Sequence, residues 1–171
     1  SYNSALGGMA LEANTTARYN TAIGYAALTA NTTGEENTAV GRQALITNTT
    51  GQYNVAMGVN TMYNSNGNYN TALGNGCLSS NTTGDKNTSV GARSMDANTT
   101  GDYNTAVGYD ALGGTTTANS NTAVGYSAAL ANTTGANNTA LGSVALLANT
   151  TASNNTALGK SALQANTTGS E

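Results

Sequence analysis

The chain of 171 residues has no proline, tryptophan, phenylalanine or histidine, and one cysteine. Without histidine there is no imidazole base, no Cys–His nucleophile pair and no zinc site of Cys and His. A lone thiol, Cys77, cannot staple the chain internally, so the fold holds together without disulfides. Without Trp or Phe the large side chains of a globular core are missing, and the nine tyrosines stand at variable, outer positions. Charge is sparse: five basic and eight acidic side chains give a net −3. The basic residues are scattered, leaving no stripe for a phosphate backbone. The acidic ones (Glu12, Glu35, Glu36, Asp85, Asp96, Asp102, Asp110, Glu171) do not recur in every turn as a calcium-binding roll would require. No apolar run approaches the length of a membrane span. The lack of proline suits a backbone whose N–H groups are nearly all engaged in ladders.

The chain is built from repetition. A motif Asn-Thr-Ala-Φ-Gly, with Φ a medium apolar residue, opens at Asn3, Asn20, Asn37, Asn54, Asn70, Asn87, Asn104, Asn121, Asn138 and Asn155. The spacing is seventeen residues, with one slip to sixteen between Asn54 and Asn70. All of 1–171 reads as a single array, a window of a longer one or a unit that joins end to end. The Φ column holds Leu6, Ile23, Val40, Met57, Leu73, Val90, Val107, Val124, Leu141 and Leu158. A second column, preceded by Ala in seven of the ten copies, holds Leu11, Leu28, Leu45, Met62, Leu78, Met95, Leu112, Ala129, Leu146 and Leu163. These two columns are the expected core, and the charged residues fall mostly at free positions.

A short period in a chain rich in Asn, Thr and Gly excludes the common helical repeats and points to an all-β fold. The expectation is a parallel β-solenoid, or β-roll, of ten coils. Each coil would have two short strands, one at the motif and one around Ala-Leu, with corners at the motif Gly and at Asn-Thr-Thr-Gly. Asn and Gly suit corners because they tolerate positive φ. Identical motif Asn residues one above another can form an amide ladder along the rod. Strand alternation leaves two arrangements. In the expected one Φ and Leu fill the roll; in the other Asn, Ala and Gly are inside and Φ faces a partner chain. The sixteen-residue coil should absorb its missing residue in the corner at Tyr63 to Gly67, because a deletion within a strand would flip Leu73 away from the face of Met57.

Chemistry-bearing motifs are few. Cys77 stands in an Ala column and reads as a small buried hydrophobe. Gly74 and Gly76 form a chance Gly-x-Gly without a strand–loop–helix around it. No catalytic, cofactor or metal site is expected. The corner sequence meets the N-glycosylation acceptor rule at Asn14, Asn31, Asn48, Asn81, Asn98, Asn132, Asn149 and Asn166, as the overlapping Asn137-Asn138-Thr139 and Asn154-Asn155-Thr156 also do, although corners favour Asn and Thr for their own backbone bonding.

Asn-Thr-Ala-Val-Gly followed by x-x-Ala resembles the Ser-Val-Ala-Ile-Gly-x-x-Ala repeats of trimeric autotransporter adhesin heads. It is also similar to Asn-Thr-Ala-Val-Gly arrays of phage tail-fibre-like surface proteins. The resemblance covers all ten repeats but about nine of the seventeen positions, and the adhesin repeat is shorter. It implies a left-handed roll, three rolls side by side, and adhesion or projection from a cell or virion surface; no catalytic residue transfers. The expected partners are copies of the chain, laterally and end to end, and a host surface or glycan, with no nucleic acid and no membrane insertion. The other reading is a solenoid that binds ice or a carbohydrate surface through ranks of Thr.

Overall fold

The structure, a computed structural model, describes residues 2–169; Ser1, Ser170 and Glu171 lie outside the described residues. It is an all-β parallel solenoid. The strands are β1 (Ser4–Leu6), β2 (Thr21–Ile23), β3 (Thr38–Val40), β4 (Val55–Met57), β5 (Thr71–Leu73), β6 (Thr88–Val90), β7 (Thr105–Val107), β8 (Thr122–Val124), β9 (Thr139–Leu141) and β10 (Thr156–Leu158). They form one ten-stranded sheet in sequential order. Every pairing is parallel and sets corresponding repeat positions on one another, as in Thr21 on Thr38, Ala22 on Ala39 and Ile23 on Val40, with Val55 and Ser89 among the substitutions within their columns. Coils are numbered below by their strands.

Among the described residues each coil has one strand, not two. The Ala-Leu segment is a run of turns. Ala27 N–H donates to Gly24 O (3.4 Å) and Asn31 N–H to Leu28 O (3.2 Å), bending the chain twice where a second strand was expected. The left-handed conformation needed for such bends does not fall on the corner Asn residues. It falls on the Leu column (Leu28 φ 51, Leu45 φ 51, Leu112 φ 52), on the residue two before it (Ala26 φ 57, Gln43 φ 60), and on the residue before the motif Asn (Tyr19 φ 61, Glu36 φ 56). A left-handed residue costs about 1–2 kcal/mol. Burying the leucine it carries contributes about 1.5–3 kcal/mol, enough to offset that cost.

The motif Gly column has a different reason for being Gly. Gly58 has φ +137, outside the left-handed region open to other residues, and a Cβ there would stand 2.5 Å from Gly74 O in the next coil.

The core is the narrow space between strand and turns. It is filled by the central residue of each strand (Ala22, Ala39, Ala56, Ala72, Ala106, Ala123, Ala140), by the Ala before the Leu column, and by the Leu column itself. Leu28, Leu45, Met62, Leu78, Met95, Leu112 and Leu146 are completely buried and Ala129 nearly so, while Leu11 is half-buried and Leu163 exposed in the end coils. The Φ column is not core, and here the first of the two arrangements is overturned. Leu6, Ile23, Met57, Val107, Leu141 and Leu158 are exposed, and Val40, Leu73, Val90 and Val124 are half-buried. The pleat is the cause: once small Ala turns inward to meet Leu across the roll, the residues on either side of it must turn outward.

Backbone hydrogen bonds between coils run both ways along the rod. Thr21, Leu28 and Ala30 donate to Asn37, Ala44 and Ile46 of the next coil (2.8, 3.0 and 3.1 Å). Gly24, Ala26 and Glu36 donate to Leu6, Gly8 and Arg18 of the preceding coil (2.8, 2.9 and 3.2 Å).

Candidate functional site

Two columns of asparagine line the interior. In the motif column the side-chain oxygen of each Asn accepts the backbone N–H of the next: Asn3 from Asn20 (2.9 Å), Asn20 from Asn37 (2.9 Å), Asn37 from Asn54 (3.0 Å), Asn54 from Asn70 (2.9 Å), Asn70 from Asn87 (2.9 Å). Asn104, Asn121, Asn138 and Asn155 continue the chain at 2.9 Å per link. The rungs are therefore chiefly side chain to backbone rather than amide to amide. The amide nitrogen reaches across the coil instead, as from Asn20 to Gly34 O (2.9 Å).

The corner asparagines form the second ladder. Asn48 Nδ2 donates to Asn31 Oδ1 (3.0 Å), Asn98 to Asn81 (2.9 Å) and Asn149 to Asn132 (2.9 Å), and each amide also donates to the carbonyl three residues on. Asn31, Asn48, Asn81, Asn98, Asn132 and Asn149 are completely buried, and Asn14 and Asn166 half-buried. The Nδ2 that a glycan would occupy is thus inside the roll and bonded. These corners cannot carry sugar on the folded coil without breaking the ladder, whereas the acceptors Asn137 and Asn154 are exposed, with Asn137 Nδ2 donating to Asn154 Oδ1 (3.3 Å).

Cys77 is buried and donates to the carbonyls of Leu73 (3.2 Å) and Gly91 (2.5 Å). Burial raises its pKa, with hydrogen bonding to Ser89 opposing, so the thiol stays protonated and unreactive. Arg93 lies between Asp110 (3.3 Å) and Asp96 (3.6 Å), and these carboxylates, Asp110 first, hold its pKa up. Burial raises that of Asp96, with Arg93 opposing. Between coils 4 and 5 a depression of about 330 Å³ is lined by Asn60, Tyr63, Asn75 and Ser79 among others. It opens where Gly76 has no side chain and other coils carry one.

The most extensive functional surface is the outward face of the sheet. It is an in-register array in which a Thr rank lies beside the Φ rank, and neither rank contains a charged residue. Exposed tyrosines stand at one or both ends of six of the strands: Tyr2, Tyr19, Tyr53, Tyr69 and Tyr103 before the motif, Tyr25, Tyr109 and Tyr126 after it. Several stack along the rod: Tyr2 on Tyr19 (5.3 Å between centroids), Tyr53 on Tyr69 (4.7 Å) and Tyr109 on Tyr126 (5.7 Å). Lys86 caps Tyr103, with Nζ 4.9 Å from the ring centroid and donating to the hydroxyl at 2.9 Å. Only Tyr63 of the nine lies elsewhere, at the depression. Sequence reasoning placed these tyrosines outside but missed that they border one face. Their positions immediately before Asn and immediately after Gly carried that signal.

No family model, no curated protein sequence and no solved structure matches the chain. Among the described residues no helix is long and apolar enough to cross a membrane.

Proposed function

We propose that this chain is a rod segment of an extracellular fibre, on a cell or virion surface, that works by shape, stability and lateral contact rather than by catalysis. The outward Φ rank carries this reading. Ten apolar side chains aligned along one uncharged face form a contiguous stripe of a kind that monomeric proteins rarely leave exposed. Covering that stripe with other copies of the chain adds the apolar burial that a core of Ala and Leu supplies sparingly. The test is mass and shape in solution at low protein concentration, for the chain itself and for Val107→Glu and Val124→Glu. Association that both substitutions abolish supports the reading. A folded wild-type chain that stays monomeric overturns it.

A second reading has a specific observation behind it. The strand Thr residues (Thr21, Thr38, Thr71, Thr88, Thr105, Thr122, Thr139, Thr156) stand in rank on the same outward face, at a spacing of about 4.8 Å. A rank of hydroxyls beside methyl groups is suited to binding ice or a crystalline carbohydrate. Thermal hysteresis of the purified chain, retained in a non-associating variant, would favour this reading over lateral assembly.

A further inference from the structure

The ends of one strand fix how two copies would meet. Consider two rods set parallel with their outward faces together. A two-fold axis along the rod reverses strand direction, so the pre-Asn end of each strand meets the post-Gly end of the same strand in the other copy. In register, Tyr19 then faces Tyr25 of the second copy and Tyr103 faces Tyr109. Coil 3 has Glu36 at one end of β3 and Arg42 at the other. Each therefore meets its opposite charge, twice across the axis. Both side chains are exposed, and among the described residues neither joins an ion pair within its own chain.

We infer that the outward face binds a second copy of this chain, parallel and in register, with Glu36 of each copy paired to Arg42 of the other. The inference rests on the lateral-contact reading above. The area suffices. Ten strands about 4.8 Å apart and on the order of 10 Å wide give roughly 500 Å² per copy before the tyrosines are added. The pair together thus reaches the ~1,000 Å² expected of a specific interface.

Other registers fit less well. A shift of one coil sets Glu36 against Tyr25 or Val59 and leaves Arg42 against Tyr19 or Tyr53, with no opposite charge for either. The best antiparallel arrangement lays coil 3 on coil 6 and pairs Glu36 with Lys86. It puts Arg42 on Ala92, engages a lysine already bonded to Tyr103, and leaves the exposed Leu141 and Leu158 of both copies uncovered.

The test uses the full chain carrying Cys77→Ala, which removes the buried thiol in favour of the residue other coils have. Glu36→Cys and Arg42→Cys variants are mixed, oxidised with diamide and run without reductant. A disulfide-linked pair of one of each variant is expected, and none from Glu36→Cys mixed with Lys86→Cys. The reverse pattern assigns the antiparallel arrangement and overturns the inference. Separately, Glu36→Arg and Arg42→Glu should each weaken association at least about tenfold, and the double exchange should restore it. If Val107→Glu abolishes association while both charge reversals leave it unchanged, the lateral reading stands and this orientation falls. A monomeric wild type removes both.

Discussion

Coil 3, Asn37 to Tyr53, has the full complement of residues, and coil 4, Asn54 to Tyr69, is one short. The two nevertheless stack with Val40 on Met57, and Met57 on Leu73, so the outward rank is unbroken across the slip. The corner takes up the loss. In the regular corner Thr32 and Thr33 N–H and Thr32 Oγ1 all donate to the backbone carbonyl of Thr49 (3.1, 3.1 and 3.0 Å). In coil 4 that carbonyl has no counterpart, and the side-chain oxygen of Asn66 replaces it, accepting from Thr49 N–H (2.7 Å), Thr49 Oγ1 (2.9 Å) and Thr50 N–H (3.3 Å). The solenoid conserves an acceptor at a point in space, whichever atom supplies it. The corner ladder is less well repaired. Ser65 takes the Asn place; Asn81 Nδ2 reaches its hydroxyl at 3.2 Å, but Asn48 Oδ1 is left buried without a partner. The same defect recurs at coil 7, where Thr115 replaces Asn and Asn98 Oδ1 is orphaned.

The largest effect should come from what the two coils share. Gly41→Ala and Gly58→Ala should each cost about 3 kcal/mol or more in denaturant unfolding, because strain at that φ adds to a backbone clash. Gly76→Ala is the control, at φ 67 with nothing within 4 Å of the added Cβ, and should cost only the about 1–2 kcal/mol of a left-handed residue. Equal losses at Gly58 and Gly76 would mean that the close stacking of the Gly column does not hold in the irregular coil.

The ladders should separate the coils next. Asn31→Ala in a regular corner strips a partner from Asn48 Nδ2 and should destabilise by about 2–3 kcal/mol, whereas Ser65→Asn should stabilise by about 1 kcal/mol by giving Asn48 Oδ1 a donor. A destabilising Ser65→Asn would show that the shortened corner has no room for the amide. Smaller again is Asn66→Ala, about 1–2 kcal/mol, accompanied by faster hydrogen exchange at the Thr49 and Thr50 amides. Unchanged exchange at those two amides would deny Asn66 its substitute role.

The smallest effect is a titration at the junction of the two coils. The carboxylate of Glu36 is the chief cause of a raised pKa at Tyr53, followed by Tyr69, burial and Glu35. Tyr53 thus holds its proton to higher pH folded than unfolded, and any stability it contributes is complete below the unfolded pKa of 10.0 and lost as pH rises through the folded value. Glu36→Gln should lower the Tyr53 transition in ultraviolet absorbance; no movement would show that Glu36 is swung away from the tyrosine column.

Period, strand position and register were legible because they repeat: the motif returns at fixed spacing, and a slip of one residue can be hidden only where side chains do not alternate. The Asn ladder was legible as a column, but its rungs were not, since choosing between amide and backbone partners needs the distance between coils. The facing of Φ was misjudged because both Ala and Val are apolar, and composition alone cannot say that the roll is too narrow to hold both Val and Leu. The second strand was misjudged for a related reason. Leucine in a left-handed conformation is a tertiary choice, stabilised by burial across the roll, and Leu28 or Leu45 has no local signal for it. The burial of Asn31 or Asn98 was likewise invisible, as an acceptor pattern for glycans is identical to a pattern that closes a corner.

The opposed directions of the hydrogen bonds between coils have an electrical consequence. In an α-helix all peptide dipoles point one way and sum to about half a charge at each end. In this rod the peptides of Thr21, Leu28, Ala30, Thr32, Thr33 and Gly34 point toward one end and those of Gly24, Ala26 and Glu36 toward the other, so opposed dipoles partly cancel within each coil. Adding coils therefore builds up less terminal potential than adding turns to a helix does. Rods laid side by side in the same sense meet less of the repulsion that parallel helices must overcome.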